Sequence, residues 1–129
     1  MRIVLVGPAP GVTEVQGRML AERLGVPYLT APAGADVERT LAHHTAGFVL
    51  DGFPRTMAEA SALDAFLRAR AAELDVALHV EVPDAVCTSR VEALLEHYRG
   101  RVVELDPRGR PEEVHERALE GLREALVAA

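Results

Sequence analysis

The chain has 129 residues, which suits a single domain over 1–129. A chain of this size buries roughly two thirds of its unfolded surface without help from disulfides or metal. Hydrophobic residues make up 49% and charged residues 26%, which excludes a disordered or fibrous protein; aromatics supply only 4%, so the core must be aliphatic. The formal net charge of -6 has the wrong sign for a nucleic-acid or anionic-membrane binder, and every basic residue is an arginine, with no lysine anywhere.

Arg2 to Val6 is a short apolar run rich in β-branched residues, the pattern of a strand, and Gly7-Pro8-Ala9-Pro10-Gly11 ends it. Val15, Met19, Leu20 and Leu24 then keep helical spacing, which predicts a helix over 13–24 with Thr13 and Gln16 as a capping box and Gly25 as its stop. A strand is expected at 26–29, a turn at 30–35, and a brief helix over 37–42 capped by Asp36. Phe48-Val49-Leu50 is the next strand, ended by Asp51-Gly52-Phe53-Pro54. Thr56 and Glu59 form a second capping box before Ala60, Leu63 and Leu67, in a helix expected to stop near Asp75. Phe66 sits beside that apolar stripe and can join the buried face.

Val76 to Val82 is the strongest strand candidate, and Asp84 can cap a helix running to about Tyr98. Val102, Val103 and Leu105 make the last strand, Asp106-Pro107-Arg108-Gly109 turns the chain, and Pro111 opens a final helix with Glu112 and Glu113 in its first turn. Five strands alternating with five helices predict an α/β fold: a five-stranded parallel sheet in a three-layer α/β/α arrangement. Such sheets bind ligands beyond the carboxyl ends of their strands, which directs attention to the turns at 7–14, 30–34, 51–56 and 83–90.

One cysteine, Cys87, excludes an intramolecular disulfide and any Cys-cluster zinc site. His43 and His44 are adjacent, so their side chains point apart, and no metal set is expected there. His79 suits a sheet position, while His97 and His115 are expected on solvated faces. No run reaches the length of about 18 apolar residues that a membrane span needs, and no secretory signal precedes the first strand, so a cytoplasmic protein is expected.

Three stretches resemble the adenylate kinases. The first is Arg2-Ile3-Val4-Leu5-Val6-Gly7-Pro8, running into Gln16 and Ala21-Glu22-Arg23-Leu24-Gly25-Val26-Pro27. The second and most specific is Gly47-Phe48-Val49-Leu50-Asp51-Gly52-Phe53-Pro54-Arg55-Thr56, continued by Ala60, Leu63 and Asp64. The third is Val82-Pro83-Asp84 reaching Arg90, with a tail in Val103-Glu104-Leu105-Asp106 and Glu112-Glu113-Val114. The resemblance covers nearly the whole chain and implies a P-loop NTPase-like fold with an adenylate kinase core. The chain is nevertheless far shorter than the family's usual length. Only seventeen residues, 30–46, replace the helical monophosphate-binding domain, and the segment after Arg90 moves directly toward the last strand with no lid.

The resemblance places the phosphate loop at Gly7-Pro8-Ala9-Pro10-Gly11-Val12-Thr13-Glu14-Val15. Thr13 stands at the position of the lysine and Val15 at that of the magnesium-binding threonine. Such a loop aims successive backbone N–H groups at phosphate oxygens and adds an ammonium. Pro10 has no N–H, Val12 resists the dihedrals open to glycine, Thr13 brings no charge, and Glu14 sets a carboxylate where an anion would bind.

What the resemblance implies for the remaining site is specific. Asp51, Arg55 and Arg90 are the candidate catalytic residues, Asp51 acting on magnesium through water and the two arginines contacting phosphate. Gly7, Pro8, Ala9, Gly11, Thr13 and Glu59 are the candidate nucleotide or phosphate contacts. Glu59 replaces a glutamine that recognises adenine, and a carboxylate cannot donate as an amide does. No cofactor is required; magnesium would accompany a bound nucleotide.

The expectation is therefore an adenylate kinase-like domain with impaired catalysis, retaining weak binding of an adenine nucleotide or phosphate. A minimal lidless nucleoside monophosphate kinase and a noncatalytic domain that binds an unidentified protein partner are the alternatives.

Overall fold

The computed structural model describes residues 1–7, 10–30, 37–80 and 89–127. In chain order the elements are β1 (Arg2–Val6), α1 (Pro10–Leu24), β2 (Tyr28–Thr30), α2 (Val37–Leu41), β3 (Phe48–Asp51), α3 (Met57–Arg68), β4 (Val76–Val80), α4 (Ser89–His97), β5 (Val102–Leu105) and α5 (Pro111–Val127). The strands form one parallel sheet in the order β2-β3-β1-β4-β5. The alternation of the sequence thus becomes the expected α/β arrangement.

Strand side chains point to opposite faces in turn, so each strand feeds two cores. On one face Val4, Val6, Phe48, Leu50 and Ala77 meet Ala60, Leu63 and Leu67 of α3 and Leu94 of α4. On the other, Ile3, Leu5, Val49, Val76, Leu78, Val80, Val103 and Leu105 meet Leu20 of α1 and Val114, Ala118, Leu119 and Leu122 of α5. The central strand β1 is hydrogen-bonded to β3 on one side and β4 on the other. Helices α1 and α3, which follow neighbouring strands β1 and β3, lie on opposite faces. That divergence makes the switch point at the carboxyl end of this strand pair.

Several boundaries differ from those expected, each for a physical reason. Helix α1 begins at Pro10, three residues ahead of Thr13. Proline is pre-set for the first helical position, where its missing N–H is not needed. Thr13 and Gln16 are therefore inside the helix and not at its cap, and they are 3% and 2% exposed. Gln16 donates from Nε2 to the Pro111 carbonyl at 3.2 Å, tying α1 to the start of α5. Gly25 does stop the helix, at φ +70. The Val26 N–H still bonds back to the Ala21 carbonyl, which delays β2 to Tyr28 and carries it through Thr30.

Helix α3 begins as expected, with the Thr56 hydroxyl accepting the Glu59 N–H at 3.2 Å, but it ends at Arg68, seven residues before Asp75. The chain turns through Ala71 at φ +53, and Ala72 and Leu74 then enter the core. Burial of those two side chains outweighs the helical propensity of an alanine-rich segment. Phe66 packs against the same cluster. The stretch at 81–88, which includes the expected strand end at Val82, the Asp84 cap and Cys87, lies outside the described residues, as do Asp36 and the turn at 31–35.

Helix α5 approaches β5 closely at Gly121, where an added Cβ would lie 2.6 Å from Val103 Cγ1. We expect Gly121→Ala to lower stability by about 1–2 kcal/mol, since overpacking outweighs the helix-propensity gain. In the Val103→Ala background the same substitution should be neutral or stabilising, as read from urea midpoints in a double-mutant cycle.

Candidate functional site

Three neighbouring strand ends set the carboxyl edge. Gly7 follows β1, and a Cβ there would stand 3.0 Å from the Val80 carbonyl and 3.3 Å from Val80 Cβ. Glycine is needed because the chain leaving β1 runs close against β4. Only residues 7–9 separate β1 from α1. Gly11 lies in the first turn of that helix, while Pro8 and Ala9 lie outside the described residues. Thr13 is buried, and Val15 is 45% exposed on the same helix. Glu14 lies in the second turn, not at the helix start, and pairs with Arg18 at 3.3 Å.

Asp51 ends β3. Its register partner is Leu5 on β1 and its same-face neighbour is Val49, so the carboxylate belongs to the face covered by α1 and α5. The Tyr28 hydroxyl donates to Asp51 Oδ2 at 2.5 Å. Burial, and then the hydrogen bond to Asp51, raise the Tyr28 phenol far above its ordinary value, so it stays a protonated donor. The ring is wedged against α1, where a Cβ on Gly17 would sit 2.6 Å from Tyr28 Cε1, and the Arg18 guanidinium lies 4.8 Å above it.

After Gly52, at φ +85, the chain reaches Arg55 and the cap of α3. Arg55 is exposed, and its backbone N–H donates to Glu59 Oε1 at 2.8 Å. Thr56 and Glu59 together satisfy free N–H groups at the start of α3, so the Glu59 carboxylate is engaged in capping. Arg90 falls in the first turn of α4, with its side chain outside the described residues.

A second polar pair lies across the sheet. His79 Nδ1 and Glu104 Oε2 are 2.6 Å apart between register partners on β4 and β5. His79 shares its face with Ala77, on the side of α3 and α4, so the sheet separates it from Asp51. His79 is thus the sheet residue expected. His97 and His115 are not free surface residues: His97 Nε2 lies 2.5 Å from Asp64 Oδ2, and His115 Nδ1 is buried, with no hydrogen-bond partner among the described residues. Tyr28, Gly17 and the His97–Asp64 pair were not anticipated. Only register could have paired Tyr28 with Asp51, since twenty-three positions separate them.

Beyond β5 the loop is clamped. Arg108 donates from its backbone N–H and its guanidinium to the Asp106 carboxylate, the shortest contact being 2.7 Å. Arg117 of α5 donates to the Asp106 carbonyl at 3.1 Å and also to that of Arg108.

A divalent cation implied at Asp51 finds a poor donor set. One carboxylate oxygen is already taken by Tyr28, Val15 offers no oxygen, and no group of three or more His, Cys, Asp or Glu residues that could hold a metal occurs among the described residues. With Tyr28 bonded to Asp51, the described side chains make no ready cation site. A shallow pocket lined by Asp64, Leu67, Arg68, Glu73, Leu74 and Arg101 lies toward the amino ends of β4 and β5, away from this edge. No helix of the described residues is long and apolar enough to cross a membrane.

No family model matches the chain. It is similar to the adenylate kinase of Nocardia farcinica, 28% identical over 179 aligned positions that cover 95% of this chain and 99% of that protein. Those 179 positions exceed the chain's 129 residues, so at least 50 of them have no counterpart here. The adenylate kinase of Clostridium botulinum strain Langeland is 31% identical over 80% of this chain, and that of Moorella thermoacetica is 32% identical over 80%. The chain spans only 60% and 59% of the lengths of those two relatives. Among solved structures, a gluconokinase from Sinorhizobium meliloti aligns with a TM-score of 0.62 at 16% identity, covering 95% of this chain and 91% of its own. A shikimate kinase from Aquifex aeolicus gives 0.62 at 16%, with both chains fully covered. The structural likeness is one of fold.

The Arg108 clamp holds the Asp106 carboxyl down to about 2, from an ordinary value near 3.8. A depressed carboxylate stabilises the fold fully above the unfolded value and loses that contribution as pH falls through the folded one. We therefore expect the stability difference between the wild type and Arg108→Ala to hold at pH 5, shrink from about pH 4 and close only below about pH 2. Urea midpoints measured at each pH check this.

Proposed function

The chain is a shortened, adenylate kinase-like P-loop protein, and we propose that it acts in the cytoplasm as a nucleotide- or phosphate-binding domain impaired in phosphoryl transfer. The observation that carries this reading is the start of α1. The helix runs from Pro10, and the side chain at the lysine position is a threonine 3% exposed, in a chain with no lysine. Phosphoryl transfer depends on positioning and on charge aimed at the phosphate oxygens. One such electrostatic contact is worth about 3 kcal/mol in the transition state, so several lost together leave little rate. A shortened chain without a lid also leaves the phosphates open to water.

The binding that remains is assigned to Gly7, Pro8, Ala9 and Gly11 at the strand-to-helix turn, with Arg55 and Arg90 as phosphate contacts. A guanidinium suits phosphate geometry, and the exposed Arg55 stands at the switch point beside Asp51. Thr13, being buried, supports the helix and not a ligand. Glu59 caps α3 and so gives little selectivity for adenine. Any magnesium at this edge would arrive with the nucleotide, held mainly by its phosphates. The relatives' name favours a second reading, a lidless nucleoside monophosphate kinase working with the same arginines.

Titration calorimetry with AMP, ADP and ATP, with and without magnesium, separates the readings when paired with a coupled transfer assay. We expect binding weaker than micromolar, further reduced by Arg55→Ala with the fold intact, and no measurable transfer. Thr13→Lys alone should not restore transfer. Turnover within the range of about 1–100 per second typical of kinases would establish the second reading instead.

A further inference from the structure

We propose that Tyr28 is a positioning residue that holds Asp51 closed to divalent cations, its phenolic hydroxyl standing in for the water that a bound magnesium would direct at that carboxylate. The inference rests on the reading of the carboxyl edge as a remnant nucleotide site.

Chemical equivalence is the starting point. A carboxylate that serves a cation through water accepts a hydrogen bond from a metal-bound water. The Tyr28 hydroxyl offers the same O–H donor, at 2.5 Å from Oδ2, a length typical of hydrogen bonds to an ionised carboxylate. Both donors address the same carboxylate, and the one on Tyr28 already holds Oδ2. Unlike a water, the phenol is not released on dilution, because it is carried on the adjacent strand.

The ring also has little freedom to leave. It is packed into the space that Gly17 leaves on α1, where any Cβ would come within 2.6 Å of it. The Arg18 guanidinium of the same helix lies 4.8 Å from the ring centre and is itself paired with Glu14 at 3.3 Å. Glycine inside a helix is unfavourable relative to alanine, so its presence in mid-α1 is accounted for by the ring it admits. The phenol keeps its proton across the ordinary pH range, and the donor is therefore permanent. No compensating oxygen comes from Val15, whose side chain is apolar and exposed.

The protein carries its own reporter. It has no tryptophan and two tyrosines, Tyr28 and Tyr98, so emission in a Tyr98→Phe background reads Tyr28 alone. Manganese binding to the nucleotide-free protein, followed by the electron paramagnetic resonance of the free ion, supplies the affinity. We expect weak manganese binding by the wild type, and binding about tenfold tighter in Tyr28→Phe, which keeps the ring and removes the competing hydrogen bond to a charged group. Adding Asp51→Asn to that variant should abolish the gain, and millimolar magnesium should leave Tyr28 emission unchanged.

An unchanged manganese affinity in a folded Tyr28→Phe protein would overturn the proposal. So would a magnesium-dependent change in Tyr28 emission, which would mean that the cation displaces the phenol freely. Neither readout uses nucleotide or turnover, so a positive transfer assay would overturn the impairment reading and leave this inference to its own test.

Discussion

The double pairing of β1 governs where every polar group of the carboxyl edge can lie. Its bonds to β3 set Leu5 against Asp51, and its bonds to β4 set Val6 against His79. Leu5 and Val6 are successive residues and face opposite sides of the sheet. Asp51 and His79 are consequently held on opposite faces, one under α1 and the other under α3 and α4. A sheet whose two faces are both buried cannot slip by one residue without turning its apolar set outward, so this separation is fixed by packing. Among the described residues the two groups face away from each other, and their polar pairs, Tyr28–Asp51 and His79–Glu104, are unconnected.

Helix α1 is the element most altered by this frame. Leaving β1 after only residues 7–9, it must lie close on the sheet, and its residues at 13, 16, 17 and 20 are all buried. Two of those four are polar, which is unfavourable unless partners are found. Gln16 finds one through Nε2 on Pro111, while its buried Oε1 has none among the described residues. The Nε2 bond ties α1 to the start of α5. Close approach has the further consequence that Gly17 admits Tyr28, which brings a phenol within reach of Asp51.

The sheet and its helices were legible because both obey simple periods. Apolar runs in β1, β3 and β4 are continuous, as strands buried on both faces require, and Thr56 with Glu59 marks the start of α3 by capping chemistry alone. What could not be read depends on tertiary contact. Proline at position 10 fits either a loop or a first helical turn, and only the short path from β1 selects the helix. The alanines after Arg68 favour continued helix locally, yet Ala72 and Leu74 are drawn into the core. Family likeness located Asp51, Arg55 and Glu59 at the edge, but it gave no means of seeing that Tyr28 bonds the first or that the third caps its own helix. His97 lies on a polar-looking stretch of α4, and its bond to Asp64 arises only because α3 and α4 pack together.

A shortened fold of this kind still has to satisfy the charges left at its edge. Here the described carboxylates at the edge are answered from within: Asp51 by Tyr28, Glu59 by the N–H groups that open α3, Glu104 by His79 and Asp106 by Arg108. The four bonds differ in how hard they are to displace. Asp106 and Arg108 are close in sequence and open to water, where screening makes an ion pair weak. Tyr28 and Asp51 are joined across two strands, half-buried, with the ring wedged under α1. The edge is therefore most yielding beside β5 and most resistant beside β3, and resistance at β3 lies next to the turn that carries Arg55.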